Sequence, residues 1–161
     1  MATPIPENSA EFTLEELALS TGGVLRSPTG SGTVRGVVID SRAVRPGVLF
    51  VALRGERLNG HAYVEAAAKR GAGAVLVERG RAISSDVAAL GVAVLEVDDT
   101  TTALGAIAAF HRRRWGRPVV GVCGSAGKTT TKELTAAALS GTGLRVHKTA
   151  GNLNNLVGAP M

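Results

Sequence analysis

One segment, residues 119–140, constrains the fold of this chain more than any other. It begins with the short apolar run Val119–Cys123, continues through the glycine-rich stretch Gly124–Gly127, and ends in the helix-forming residues Lys128–Ser140. A short run without polar side chains is typical of a strand buried on both faces of a parallel sheet. A strand, a glycine turn and a helix in this order indicate an α/β architecture, because parallel strands need crossover connections, usually helices.

The same turn has the chemistry of a phosphate-binding loop. Small residues let successive backbone N–H groups converge on phosphate oxygens, and the following helix directs its positive end towards them. Lys128 is expected to reach the β- and γ-phosphates of ATP, and the Thr129 hydroxyl to coordinate Mg²⁺. The predicted ATP-binding residues are Gly124, Ser125, Ala126, Gly127, Lys128, Thr129 and Thr130, with Lys128 as the catalytic residue.

The loop departs from the general pattern G-x-x-x-x-G-K-[ST], which would need a glycine where this chain has Val122. It has the shorter form G-x-x-G-K-T-T, with Gly121 one residue further upstream. The alternative interpretation is therefore an ordinary strand-to-helix turn that contains Gly-Lys-Thr by chance.

Strands and helices also alternate upstream of this loop. Thr13 and Glu16 form a predicted capping box at the start of a helix that Gly22-Gly23 ends. Predicted strands are Val34–Ile39, Val48–Leu53, Ala74–Glu78, Val92–Val97 and Leu144–Lys148, and predicted helices are Ala62–Arg70, Ser84–Leu90 and Thr100–Trp115. This order predicts an α/β fold in two units, one spanning residues 1–116 and one spanning residues 117–161.

Composition limits the classes of partner. The 161 residues carry 18 basic and 13 acidic side chains, and the net charge of +5 favours an anionic ligand. Aromatic residues make up only 3% of the chain, too few for base-stacking platforms, so nucleic acid is not an expected partner. Met1–Phe12 lacks the features of a signal peptide, and no apolar run approaches the ~20 residues of a membrane span. These features predict a cytoplasmic protein. Cys123 lies at the end of the predicted strand Val119–Cys123 and is expected to be a small buried residue.

Three motifs together resemble the Mur ligases, the family that extends the peptide of bacterial cell-wall precursors. The first is the loop Gly124–Thr131, and the second is Asp40-Ser41-Arg42 followed by Arg45–Gly55 and then Asn59-Gly60-His61. The third is the asparagine-rich stretch Thr149–Pro160. The resemblance runs from about Leu14 to the last residue. It implies a small N-terminal α/β domain that binds UDP, followed by the start of the P-loop central domain of the family.

The resemblance also implies which residues contact the UDP substrate. They are Ser41, Arg42, Gly55, Glu56, Arg57, Leu58, Asn59, Gly60, Asn152 and Asn155. Taken without the resemblance, Asp40-Ser41-Arg42 is an Asx-type turn that carries a surface arginine. Asn152 and Asn155 have a similar alternative, because asparagine amides can fix a loop as well as bind a phosphate.

The reaction implied by the resemblance is an ATP- and Mg²⁺-dependent ligation in peptidoglycan synthesis. ATP phosphorylates the terminal carboxylate of a UDP-MurNAc-tripeptide, and the amine of D-Ala-D-Ala attacks the acyl phosphate. The stretch Thr149–Pro160 is similar to the branch of the family that adds D-Ala-D-Ala. The branch that adds the third peptide residue is one alternative, and a non-catalytic module that binds UDP-sugars or nucleotides is another.

We expect the complete enzyme to be a monomer, of which this chain is the N-terminal part. No acidic residue follows Glu133, so a carboxylate that could hold Mg²⁺ on a later strand is missing from the sequence. The chain alone is therefore predicted to be inactive.

Overall fold

The computed structural model describes residues 5–26, 32–55, 58–151, 153 and 155–161. The strands are β1 (Glu11–Thr13), β2 (Val24–Leu25), β3 (Thr33–Arg35), β4 (Val37–Val38), β5 (Leu49–Val51), β6 (Ala74–Glu78) and β7 (Ala93–Val97). The α-helices are α1 (Leu14–Thr21), α2 (Val64–Lys69), α3 (Ser85–Ala89), α4 (Thr100–Trp115) and α5 (Lys128–Ser140), and Ser41–Ala43 and Gly60–Tyr63 are 3₁₀ helices. Within these ranges, no helix combines the length and the apolar character that crossing a bilayer would require.

A five-stranded sheet lies at the centre of the fold, with the strand order β2-β7-β6-β5-β4. Strands β4 to β7 are parallel, and β2 is antiparallel to β7. Successive residues of a strand point to opposite faces. Leu49 and Leu76 accordingly join the apolar cluster that contains α1 and α4, whereas Phe50 and Val75 join the one that contains α2 and α3. The predicted α/β class is confirmed, with the sheet held between two helical layers.

Local signals in the sequence predict several elements well. Helix α4 and strand β6 have the predicted bounds. The capping box is present, because the Glu16 backbone N–H donates to Thr13 Oγ1 (3.1 Å) and the Thr13 N–H donates to Glu16 Oε2 (2.9 Å). Gly22 ends α1 in the left-handed region, at a φ of 67°.

The predicted strand Val34–Ile39 is divided into two strands at Gly36. Gly36 has a φ of 97°, and a Cβ at this position would lie 2.8 Å from the backbone oxygen of Asn8. The chain changes direction there, so β3 pairs with β1 in a separate antiparallel sheet while β4 joins the main sheet. Only glycine combines this φ with so close an approach of backbone.

Two predicted strands of the second unit, Val119–Cys123 and Leu144–Lys148, are wrong. All these residues are described, and none of them belongs to a strand. A strand is stabilised by hydrogen bonds to a neighbour, and no described strand pairs with either segment. The expectation that Cys123 is buried is also wrong, because its segment pairs with no described strand and the cysteine is exposed. Helix α5 does have its predicted bounds.

Buried apolar side chains are concentrated in the first unit. Among the described residues they lie between Phe12 and Ile107, with Ala136 of α5 as the exception. The end of the chain also contacts this unit, because Val157 and Met161 pack against the cluster formed with α1 and α4. The division at residues 116 and 117 stays a prediction, supported by the distribution of buried residues.

Candidate functional site

A cavity of about 760 Å³ lies beside the segments that follow β4 and β5. Five of the predicted substrate contacts line it, namely Ser41, Arg42, Gly55, Leu58 and Gly60. The carboxyl ends of parallel strands are where α/β sheets bind their ligands, because the loops that leave them form a crevice. The fold therefore brings together two loops that the sequence keeps apart.

The loop after β4 is organised by Asp40. Its Oδ1 accepts the backbone N–H of Arg42 (2.9 Å), and its Oδ2 accepts a hydrogen bond from Arg42 Nη2 (2.6 Å). Hydrogen bonds from Arg42 hold the pKa of Asp40 below its usual value, and those to Asp40 raise the pKa of Arg42. Arg70 Nη1 donates to the Arg42 carbonyl oxygen (3.1 Å). The Asx-type turn is thus present, and it holds Ser41 at the cavity.

The loop after β5 is fixed by a histidine that uses both ring nitrogens. Asn59 Oδ1 accepts the His61 backbone N–H (3.1 Å) and lies 2.8 Å from His61 Nδ1. His61 Nε2 accepts the backbone N–H of Glu78 (2.9 Å) at the end of β6. These partners require a neutral ring that carries its proton on Nδ1. Burial lowers the pKa of His61, which agrees with the neutral form.

This geometry predicts that acid destabilises the fold through His61. The unfolded side chain titrates near 6.5 and the folded one below it, so His61 contributes fully above pH 6.5. The free energy of unfolding should fall as the pH drops from 6.5 through the lower folded pKa, by at most about 1.4 kcal/mol per pH unit for one proton. In urea unfolding between about pH 5 and pH 8, the free energy of unfolding of His61→Gln should depend less steeply on pH than that of wild type.

Two controls define this pH experiment. The exposed residue His147 lies outside the core, so His147→Gln should keep the wild-type slope. Burial also lowers the pKa of His111, so part of the slope should persist in the His61 variant. An identical slope in wild type and His61→Gln would contradict the assignment.

Two of the described predicted contacts, Asn59 and Asn155, are not among the residues that line the cavity. Asn59 caps the 3₁₀ helix and is not among the residues that line the cavity. Asn155 Oδ1 accepts the backbone N–H groups of Val157 (3.2 Å) and Gly158 (2.5 Å), so it fixes a turn. Substrate contact by Asn155 stays a prediction, and Glu56, Arg57 and Asn152 lie outside the described residues.

The structure also shows cavity residues that the sequence analysis missed. Glu7, Arg45 and Tyr63 are among the lining residues. Arg45 lies in the second motif, next to the recognisable Pro46-Gly47 turn, but it was not among the predicted substrate contacts. Glu7 belongs to a segment without any helix or strand pattern, and only tertiary contacts place it here.

The loop Gly124–Gly127 has the backbone geometry of a phosphate-binding turn. Gly124 and Gly127 have φ values of 154° and 76°, a range that favours glycine. Gly127 is the N-cap of α5, and among the described residues no side chain makes the capping hydrogen bond. Lys128 Nζ donates to the carbonyl oxygens of Gly124 (2.6 Å) and Ser125 (3.3 Å), so the ammonium lies over the loop. Uncapped amides and an ammonium at a helix N-terminus form a donor set that fits phosphate oxygens.

Two other lysines of this unit have structural partners. Lys132 Nζ donates to the carbonyl oxygens of Thr149 (2.7 Å) and Gly151 (3.3 Å). Lys148 forms a hydrogen-bonded ion pair with Glu133, and this bond lowers the pKa of the carboxyl group. Glu133 is therefore paired with lysine, and no three His, Cys, Asp or Glu side chains in the described ranges form a metal cluster.

Known proteins are similar to this chain in both sequence and structure. The "Mur ligase family, catalytic domain" matches residues 33–112. The UDP-N-acetylmuramoyl-tripeptide–D-alanyl-D-alanine ligase of Bacillus subtilis is 43% identical over 150 residues. A crystal structure of MurF from Acinetobacter baumannii has a TM-score of 0.78 at 32% identity and covers 99% of this chain. The MurF ligase of Thermotoga maritima in complex with ADP has a TM-score of 0.67 at 36% identity and covers 77% of this chain.

The chain spans about a third of the length of these relatives. The B. subtilis match includes 92% of this chain and 32% of the relative, and the two structural matches include 33% and 27% of the solved chains. The B. subtilis match is long enough to include most of this chain, so the similarity is not confined to one motif. The fold agrees with these matches, and the chain belongs to the Mur ligase family.

Proposed function

We propose that this chain supplies the UDP-binding and ATP-phosphate-binding parts of a ligase that joins D-Ala-D-Ala to a UDP-MurNAc-tripeptide. The observation that carries the proposal is the cavity, where Ser41 and Arg42 meet Gly55, Leu58 and Gly60. Its volume of about 760 Å³ falls within the range of small-molecule sites. The 43% identity to the B. subtilis ligase, whose name states this reaction, supports the choice of substrates.

The ATP half of the proposal rests on the glycine loop. In a phosphoryl transfer to a carboxylate, the protein positions the reactants and neutralises the charge that develops on the phosphoryl group. Lys128 and the first-turn amides of α5 are the groups that would do this, and the Thr129 hydroxyl is the candidate ligand for Mg²⁺. When bound, Mg²⁺ would offset the negative charge of the phosphate oxygens. The T. maritima relative was solved with ADP, which supports a nucleotide in this family.

Binding of UDP to the 161-residue chain tests the first half of the proposal. In two-dimensional NMR spectra, UDP should shift the amide signals of residues 40–42 and 55–60 in a saturable manner. Loss of one hydrogen bond in Ser41→Ala should weaken binding about two- to ten-fold. Ser20→Ala is the matched control, because the Ser20 hydroxyl donates to Leu17 O on α1 and should leave UDP binding unchanged. Shifts confined to other surfaces, or none at millimolar UDP, would exclude this site.

A further inference from the structure

The N-terminal segment Ile5–Ala10 contributes its first three residues to the lining of the cavity. The side-chain amide of Asn8 forms two hydrogen bonds with the backbone of edge strand β4. Its Nδ2 donates to Val37 O (2.9 Å), and its Oδ1 accepts the Val37 N–H (3.0 Å). Ala10 O accepts the N–H of Gly36 (2.8 Å). These bonds hold the segment in place, and Ile5, Pro6 and Glu7 line the cavity beyond them.

Two arginines of the cavity are restrained very differently. Arg42 makes a bidentate contact with Asp40 inside a single turn, with distances of 2.6 to 3.1 Å. Arg45 Nη1 makes a 2.9 Å contact with Glu7, which is 38 residues away along the chain. The side chains of Arg45 and Glu7 are 50% and 80% exposed. An ion pair this exposed stabilises by only about 0.2–1 kcal/mol, so Arg45 is the easier cation to redirect.

The backbone presents Arg45 in a fixed position. Pro46 and Gly47 form a turn in which the Val48 N–H donates to Arg45 O (3.3 Å), and Gly47 has a φ of 80°. Proline followed by a glycine of positive φ is the pattern of a type II turn. The base of the Arg45 side chain therefore stays at the cavity while its guanidinium can change partner.

We propose that Arg45 binds the diphosphate of a nucleoside diphosphate in this cavity, and that Glu7 competes with the ligand for it. This inference rests on the proposed function and assigns a role to an arginine that was not among the predicted substrate contacts. Arginine matches phosphate oxygens with a fork of N–H donors, and a charged pair of this kind is stronger than a neutral hydrogen bond. Glu7 both occupies Arg45 and places a negative charge where an anion would bind.

Calorimetric titration of the 161-residue chain with UDP and with uridine tests this inference. Arg45→Gln should weaken the binding of UDP about ten-fold or more and leave the affinity for uridine unchanged, because only UDP carries the diphosphate. Glu7→Gln should raise the affinity for UDP about two- to five-fold, because UDP no longer has to break the exposed ion pair with Arg45. The double variant Glu7→Gln/Arg45→Gln should lose that gain.

A matched control separates a local effect from a change in net charge. Glu11 and Arg35 form another exposed ion pair (3.2 Å), and neither residue lines the cavity. Glu11→Gln changes the net charge as Glu7→Gln does and should leave the affinity for UDP unchanged. If wild type binds UDP but Arg45→Gln keeps the wild-type ratio of UDP to uridine affinity, the inference is wrong and the proposed function stands. If wild type binds neither UDP nor uridine, both are wrong.

Discussion

Replacing Lys128 with alanine is expected to weaken the binding of ADP to this chain about ten- to a hundred-fold. The ammonium lies over the loop through its bonds to Gly124 O and Ser125 O, within reach of anything bound by the first-turn amides of α5. Removing it leaves the amides but takes away the only charge that the loop Gly124–Thr130 carries. Fluorescence titration with a mant-labelled ADP measures the change.

The controls for Lys128 use the other cations of the same unit. Lys148 is paired with Glu133 on the side of α5, so Lys148→Ala should bind ADP nearly as well as wild type. Lys128→Arg keeps the charge but replaces a flexible ammonium with a bulkier planar group, and it should not restore full affinity. Equal affinities for wild type and Lys128→Ala would refute the role of this loop.

The sequence predicts elements whose signals are local. Helix α4 begins after Asp99, whose carboxylate accepts the Thr102 N–H, and it ends at Gly116 with a φ of 67°. Caps of this kind can be recognised from a few residues. Strands β1 and β2 were missed because each has only two or three residues, too few to show alternation. The apolar run Val119–Cys123 has the composition of a strand, but composition does not supply a pairing partner.

The residues of the candidate site show the same contrast between local signals and tertiary contacts. Ser41 and Gly60 were predicted because a recognisable motif surrounds each, and both line the cavity. The contact between Arg45 and Glu7 at the cavity was missed because the two residues are 38 apart along the chain. Asn59 shows the converse, because its amide oxygen contacts His61 N–H and Nδ1, and its contact with substrate stays a prediction. A motif identifies which residues lie near a ligand, whereas the hydrogen-bond partners of each decide its role.

Substituting alanine for Gly60 is expected to destabilise the fold by about 1–3 kcal/mol and to reduce UDP binding as well. A Cβ at this position would lie 2.7 Å from Leu53 O, 2.8 Å from Leu53 N and 3.0 Å from Ala52 C. All three atoms belong to the backbone at the end of β5, so no side-chain rotation can relieve the contact. The Gly60 N–H also donates to Leu53 O (2.8 Å), which ties the 3₁₀ helix to the sheet. Making room for a methyl group would lengthen that bond.

Gly105 provides a control with the opposite sign. It lies within α4, and a Cβ there would meet no heavy atom within 4 Å. Gly105→Ala should therefore stabilise the fold by about 0.5–1 kcal/mol, because alanine loses less backbone entropy than glycine on entering a helix. Urea unfolding followed by circular dichroism measures the stability of both variants. UDP titration of both distinguishes a change at the cavity from a change within the helix. If Gly60→Ala were as stable as wild type and bound UDP normally, the close approach of the 3₁₀ helix to β5 would not be what shapes this cavity.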